Sequence, residues 1–298
     1  FRCDAINRLI WLTEPFSWEE LPTKNPETRT LTMAGWIPRV QLIAKRIIQF
    51  IIIYHPVYTA IRIVVSPNRP LSFNGWFPFN ATVSPTYELV NLIQFFAVLS
   101  YDCVTFGFNA LYATFICIAC SQLEKLRGNL AHIRQKQVSS DEADQEEERQ
   151  VQTSQKVCSY MQKQLNDCIR QHQEILSYVR VLEQTLNQVV AGIFLLALGA
   201  LCFGSFSIVT SWGNYVQMSQ GMVSYLVNMT MLAIYTWFGY ELTSQVERVR
   251  DAAWGCDWVG TPLHFQKSIR VIISSANKEC ILTAGKFVPV TVRTMVNV

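Results

Sequence analysis

The chain has 298 residues, 25 of them basic and 22 acidic, giving a formal charge of +3; half are hydrophobic and 16% are charged. So even a balance excludes an extended nucleic-acid footprint, and so apolar a composition excludes intrinsic disorder. From Gln184 to Tyr240 no Asp, Glu, Lys, Arg or His occurs across 57 positions, a stretch that no water-facing domain could hold. The class predicted is all-α, a bundle of membrane-spanning helices.

A helix needs about 20 mostly apolar residues to cross the ~30 Å hydrocarbon core. Residues 1–42 are too polar for this, and Phe1-Arg2-Cys3-Asp4 does not read as a translation start, so the chain is expected to lack its own beginning. A first complete span is predicted over 43–65, kinked at Pro56. A loop over 66–86 follows. The second span, 87–123, carries Glu88 at its very start and a single charge deep inside, Asp102, and is longer than a bilayer requires, so it should tilt or project. Residues 124–187 hold the acidic run Ser139–Arg149, which reads as a solvated loop. After it, Val157, Met161, Leu165, Ile169, His172 and Leu176 recur every three or four residues, the spacing of an amphipathic helix. The uncharged tract divides at Trp212-Gly213-Asn214 into spans over 188–211 and 216–240. Residues 241–280 are polar again, and 281–298 open a weaker apolar segment. That makes four complete spans and the start of a further one.

Basic residues give the orientation. Seven Lys/Arg fall in 1–46, nine in 124–183 and six in 241–286, so 22 of 25 lie in alternate segments. Those segments are expected to be cytoplasmic, which puts 66–86 outside the cell. The sequon Asn80-Ala81-Thr82 in that loop is a candidate glycosylation site. A second sequon, Asn228-Met229-Thr230, lies within a span and is expected to be unused.

Catalytic signatures are missing: there is no nucleotide loop, dinucleotide fingerprint, HExxH or nucleophile elbow. Cys117-Ile118-Ala119-Cys120 has metal-pair spacing but lies mid-span without His or carboxylate neighbours, so these cysteines read as small buried hydrophobes. No metal, cofactor or enzymatic activity is expected. His172, on an apolar stripe, reads as a packed residue. Asp102 stands apart: an intramembrane carboxylate costs ~2.5–3.5 kcal/mol on insertion scales and usually faces a bundle interior or cavity. It reads either as a helix-packing group or as an ion or ligand contact.

Particular motifs carry more than composition can. Trp76-Phe77-Pro78-Phe79-Asn80, Ser84-Pro85, Tyr87-Glu88-Leu89 and Gln94 resemble the extracellular loop and following span of insect odorant receptors. Gln122-Leu123-Glu124-Lys125-Leu126 resembles the cytoplasmic end of that span. Cys168-Ile169-Arg170-Gln171-His172-Gln173 with Leu182-Glu183 is similar to the helix before the next one. Phe238-Gly239-Tyr240-Glu241-Leu242, Trp258 and Leu282-Thr283-Ala284-Gly285-Lys286-Phe287 resemble the carboxy-terminal signature. Two places depart from the family's pattern: Asn80 stands where Asp is common, and Asn277-Lys278-Glu279-Cys280, before the terminal signature, lacks the usual proline.

The resemblance implies a seven-span receptor with a cytoplasmic amino terminus, of which this chain would lack the first span, most or all of the second and the end of the seventh. It implies an odorant-gated, non-selective cation channel assembled as a heterotetramer with a shared co-receptor, in the dendritic plasma membrane of olfactory sensory neurons. The last span would line the pore, with Lys286 and Arg293 on it, and 241–280 would form a cytoplasmic anchor between subunits. A volatile odorant suits an apolar, aromatic pocket with few polar groups. Mapped onto this chain, the candidates are Tyr54 and Tyr58 on one span, Asn91, Gln94, Phe95 and Val98 on the next, and Met222, Tyr225 and Asn228 on the last complete one. A gustatory receptor of the same superfamily is the nearest rival. A G-protein-coupled receptor is disfavoured, since neither DRY nor NPxxY occurs.

Overall fold

The computed structural model describes residues 3–16, 21–24, 30–65, 71, 76–81, 83–133, 147–213, 215–256, 258, 261–277, 282–286 and 288–290. Those residues form helices α1 (Cys3–Trp11), α2 (Met33–Val65), α3 (Thr86–His132), α4 (Glu147–Thr210), α5 (Tyr215–Trp254) and α6 (Leu263–Asn277), then a hairpin of β1 (Thr283–Ala284) and β2 (Val288–Pro289). The 64 residues of α4 extend roughly 96 Å at 1.5 Å per residue, three times the hydrocarbon thickness. A helix crossing a bilayer therefore continues without a break into the polar segment beside it. Backbone hydrogen bonding is local and does not stop where charge begins, which is why α2 starts at Met33 rather than at residue 43. Of the described helices, α2, α3 and α4 are long and apolar enough to cross a membrane. The fourth expected span lies on α5, where Ser, Gln, Tyr, Asn and Thr dilute an uncharged run.

The chain divides into two compact units, Gly35–Phe115 and the remainder. In the first, Phe50, Ile53, Leu92, Ile93 and Phe96 are exposed, as lipid-facing side chains are. In the second, the charged portions of the helices hold the core. Leu123, Leu126 and Leu130 of α3, Leu165, Ile175 and Leu182 of α4, and Leu242 and Val249 of α5 are all fully buried. Further along α4 the pattern inverts, and Leu195, Leu196, Phe203 and Phe206 are at least two-thirds exposed. Water buries the first set against neighbouring helices, whereas lipid gives the second no reason to turn inward.

The amphipathic stripe on α4 is real but rotated from its expected course. Leu165 and His172 are buried as expected, while Ile169 and Leu176 are only half-buried; Cys168, Ile175 and Val179 take the inward positions. A 3.6-residue repeat drifts off strict three- and four-residue steps, and the faces presented to α1 and α6 widen the buried arc. Val157 lies outside the residues whose side chains are described. At the far end of α4 the chain turns through Gly213, whose φ of 94° suits a residue without Cβ.

The largest departure from expectation is in the described part of the last segment, 282–286 and 288–290. Instead of opening a helix, Thr283–Ala284 and Val288–Pro289 pair as an antiparallel hairpin, with Thr283 opposite Pro289 and Ala284 opposite Val288. Gly285 and Lys286 both take left-handed backbone, φ 66° and 63°, which closes a tight reversal that no straight helix start could share. Residues 291–298 lie outside the described residues.

Candidate functional site

Motifs far apart in the sequence converge around the hairpin. Thr283 Oγ1 donates to Glu183 Oε1 at 2.6 Å, and Asn187 Nδ2 donates to the same oxygen at 3.0 Å. The Gly285 N–H bonds the Asn187 carbonyl at 3.3 Å. Glu183 and Asn187 are one turn apart on α4, so their side chains share a face and grip the first strand together. On the other side, Val290 is buried, its N–H bonds the Leu282 carbonyl at 2.8 Å, and its own carbonyl lies against Gly239 of α5. Hydrogen bonds to an ionised acceptor are worth about 1.5–3 kcal/mol. Glu183→Ala is accordingly expected to loosen the hairpin, read as faster hydrogen exchange at the Gly285 and Val290 amides with the α4 core still protected. Unchanged exchange there would remove Glu183 from this role.

A second polar group ties the helices below the hairpin. Glu124 on α3 accepts from the Met33 N–H at 3.1 Å, where a carboxylate at a helix N-terminus is favoured. It also accepts from Gln245 Nε2 of α5 at 3.3 Å, which in turn donates to Glu241 at 2.8 Å. Cys256 Sγ reaches the Leu130 carbonyl at 3.4 Å. His172 is 2% exposed, and burial lowers its imidazole pKa to about 4. Tyr178 of α4 packs edge-on against Phe16 at 5.6 Å, and burial raises its phenol. This end of the molecule is a tightly cross-linked bundle.

The nine odorant-binding candidates divide between the units. In Gly35–Phe115, Asn91 is buried and its Nδ2 donates to the Tyr87 carbonyl at 2.9 Å. Gln94, Phe95 and Val98 are half-buried on the same face, while Leu92, Ile93 and Phe96 opposite are exposed. Tyr54 stacks on Phe50 at 5.5 Å; the Tyr58 side chain lies outside the described ones. On α5, Tyr225 is half-buried with its Cβ over Gly204 of α4. Asn228 Nδ2 donates to the Ser224 carbonyl at 2.9 Å, and Met222 is exposed. Lys286 is exposed at the hairpin tip rather than on a span, and Arg293 lies outside the described residues. Asn80 is exposed in its loop, as a glycosylation acceptor must be. A cavity of about 620 Å³ lies instead at the cross-linked end, lined by Gln122, Asn129, Gln164, Asp167, Arg170 and Glu174 among others, a lining too polar for an apolar volatile.

Two features escaped the sequence reading. Asp102 pairs with His55 across α2 and α3 at 3.0 Å, and Gly239 makes room for the Val290 backbone. The first had a partial signal, two ionisable residues within apolar spans; the second had none beyond the glycine itself.

The model of the family described as 7tm Odorant receptor matches residues 2–298. Odorant receptor 2a of Drosophila melanogaster is 18% identical over 247 residues, covering 82% of this chain and 60% of that protein. Odorant receptor Or2 of Anopheles gambiae is 21% identical over 227 residues, covering 76% and 57%. The chain thus spans about 60% of the length of these curated relatives. Among solved structures, the olfactory receptor OR5 from Machilis hrabei in complex with eugenol superposes with a TM-score of 0.64 at 12% identity, over 98% of this chain and 71% of that one. The same receptor in a second structure, whose description names no ligand, gives 0.57 at 13%, over 99% and 71%. At these identities the superposition speaks for the fold.

Proposed function

The chain belongs to the 7tm odorant receptor family, a family of multi-pass membrane proteins, and from that premise we propose that it is a subunit of an odorant-gated, non-selective cation channel. In this reading the residues that meet a volatile molecule are Tyr54, Tyr58, Asn91, Gln94, Phe95 and Val98 of one unit and Met222, Tyr225 and Asn228 of the other. The cross-linked end faces the cytoplasm as an anchor where subunits meet, and the segment after the hairpin contributes to the pore. A shared co-receptor completes the heteromer, in the plasma membrane of olfactory sensory dendrites. The observation that carries the reading is the hairpin: it is bonded to α4 through Glu183 and Asn187 and closed against α5 at Gly239. Through these contacts a shift of either helix would be passed to the residues after Val290. The eugenol complex of the Machilis receptor supports a small organic ligand for a protein of this fold.

Currents recorded from the full-length receptor, with and without the co-receptor, test the channel. Odorant-evoked current that needs the co-receptor and survives G-protein blockade is expected; current abolished by the blockade overturns it. Among these residues, Tyr225→Ala is expected to raise the odorant EC50 about tenfold, the equivalent of 1.4 kcal/mol, relative to the EC50 of a direct co-receptor agonist. Equal shifts in both would assign Tyr225 to folding and refute its contact with ligand.

A further inference from the structure

Within Gly35–Phe115, two ionisable side chains meet in the apolar part of α2 and α3. His55 Nε2 lies 3.0 Å from Asp102 Oδ2, and the side chains are 25% and 21% exposed. Ionisable groups inside a membrane are retained where they face a bundle interior or a cavity. Asp102 lies four, seven and eleven residues after Val98, Phe95 and Asn91, so at 3.6 residues per turn it falls within about 40° of each. It therefore continues the half-buried face proposed above to receive odorant. Across from it, His55 meets the Tyr54 ring edge-on at 5.8 Å.

The chemistry of the pair limits what it can recognise. An imidazole and a carboxylate at this distance share one proton, held between Nε2 and Oδ2. Whichever atom carries it, Asp102 Oδ1 is left as a hydrogen-bond acceptor. Among the described residues no donor reaches Oδ1, and the side chain retains exposed surface. An acceptor held in a low-dielectric site gains most from a ligand O–H or N–H, and an analogue without that donor leaves it unpaired. We infer that the His55–Asp102 pair reads a hydrogen-bond donor on the odorant, so that the receptor selects alcohols, phenols and amines over ethers, esters and hydrocarbons of similar shape. This rests on the odorant face proposed above. His55 is the positioning partner: it holds Oδ2 and leaves Oδ1 to accept from the ligand.

The test uses the full-length receptor with its co-receptor and a panel of medium-chain primary alcohols and phenols, each matched with its methyl ether. The wild type is expected to respond to the alcohol or phenol at an EC50 at least about tenfold below that of the ether. Asp102→Leu should collapse that ratio towards one, and Asp102→Asn, which keeps a carbonyl acceptor, should restore part of it. Because the ratio is internal to each variant, a lower surface level does not alter it. The wild-type ratio decides the matter alone if Asp102→Leu fails to reach the membrane. Volatile-evoked currents with a wild-type ratio near one, or an undiminished ratio in Asp102→Leu, overturn the inference while leaving the odorant face in place. A wild type that conducts with a direct co-receptor agonist but answers no volatile overturns the odorant face and this inference together.

Discussion

In the channel proposed for this chain, Gly239→Ala is expected to cut odorant-evoked current by more than tenfold at normal surface expression. A Cβ at this position of α5 would run into the Val290 carbonyl oxygen. Both partners are backbone, so no side chain can rotate away, and overpacking of this kind costs about 1–3 kcal/mol. The strain falls on the residue by which the hairpin leads out, while the Glu183 and Asn187 bonds hold its other strand to α4. Relief therefore comes by moving the exit of the hairpin. Gly199→Ala is the control: a Cβ there meets nothing within 4 Å, and alanine favours a helix over glycine by about 1 kcal/mol. Current recording with surface biotinylation checks both, and wild-type current in Gly239→Ala would refute the close approach.

Acid should destabilise the cross-linked bundle through His172. The imidazole is buried, and desolvation lowers its pKa from 6.5 to about 4 in the folded protein. Between those values the unfolded chain binds the proton and the folded one does not, so stability rises with pH in that window. Acidification from about 6.5 to about 4 therefore removes stability, to a limit of about 3 kcal/mol at 1.36 kcal/mol per unit, with no further loss from this group at lower pH. Nε2 of His172 has no hydrogen-bond partner among the described residues, so His172→Leu both removes an unsatisfied polar atom and flattens the profile. Thermal unfolding of the purified receptor in detergent across this range checks the slope. An identical acid dependence in wild type and His172→Leu would exclude His172 as its source.

His172 also shows how much of the molecule was legible in sequence. Its place on a three- and four-residue repeat marked it as packed, and the structure buries it. Cys117 and Cys120, read as small hydrophobes, are likewise fully buried. Neither required knowledge of a neighbour. Asp102 was legible only as an anomaly, because its meaning depends on a residue 47 positions away on another helix. Glu183 and Thr283, 100 positions apart, each carried part of a family signature without any sign that they touch.

Spacing and charge in the chain itself dictated which tracts are apolar enough to cross lipid, where polar segments begin and which helices have an inward stripe. Transfer out of water acts residue by residue, and helical hydrogen bonds close within four residues. The rotation of the α4 stripe, the hairpin in place of a helix start, the fit of Gly239 to Val290 and the partner of Asp102 were decided only by the folded arrangement. Each depends on which surfaces come within van der Waals or hydrogen-bond reach, and that is set by packing between segments distant along the chain.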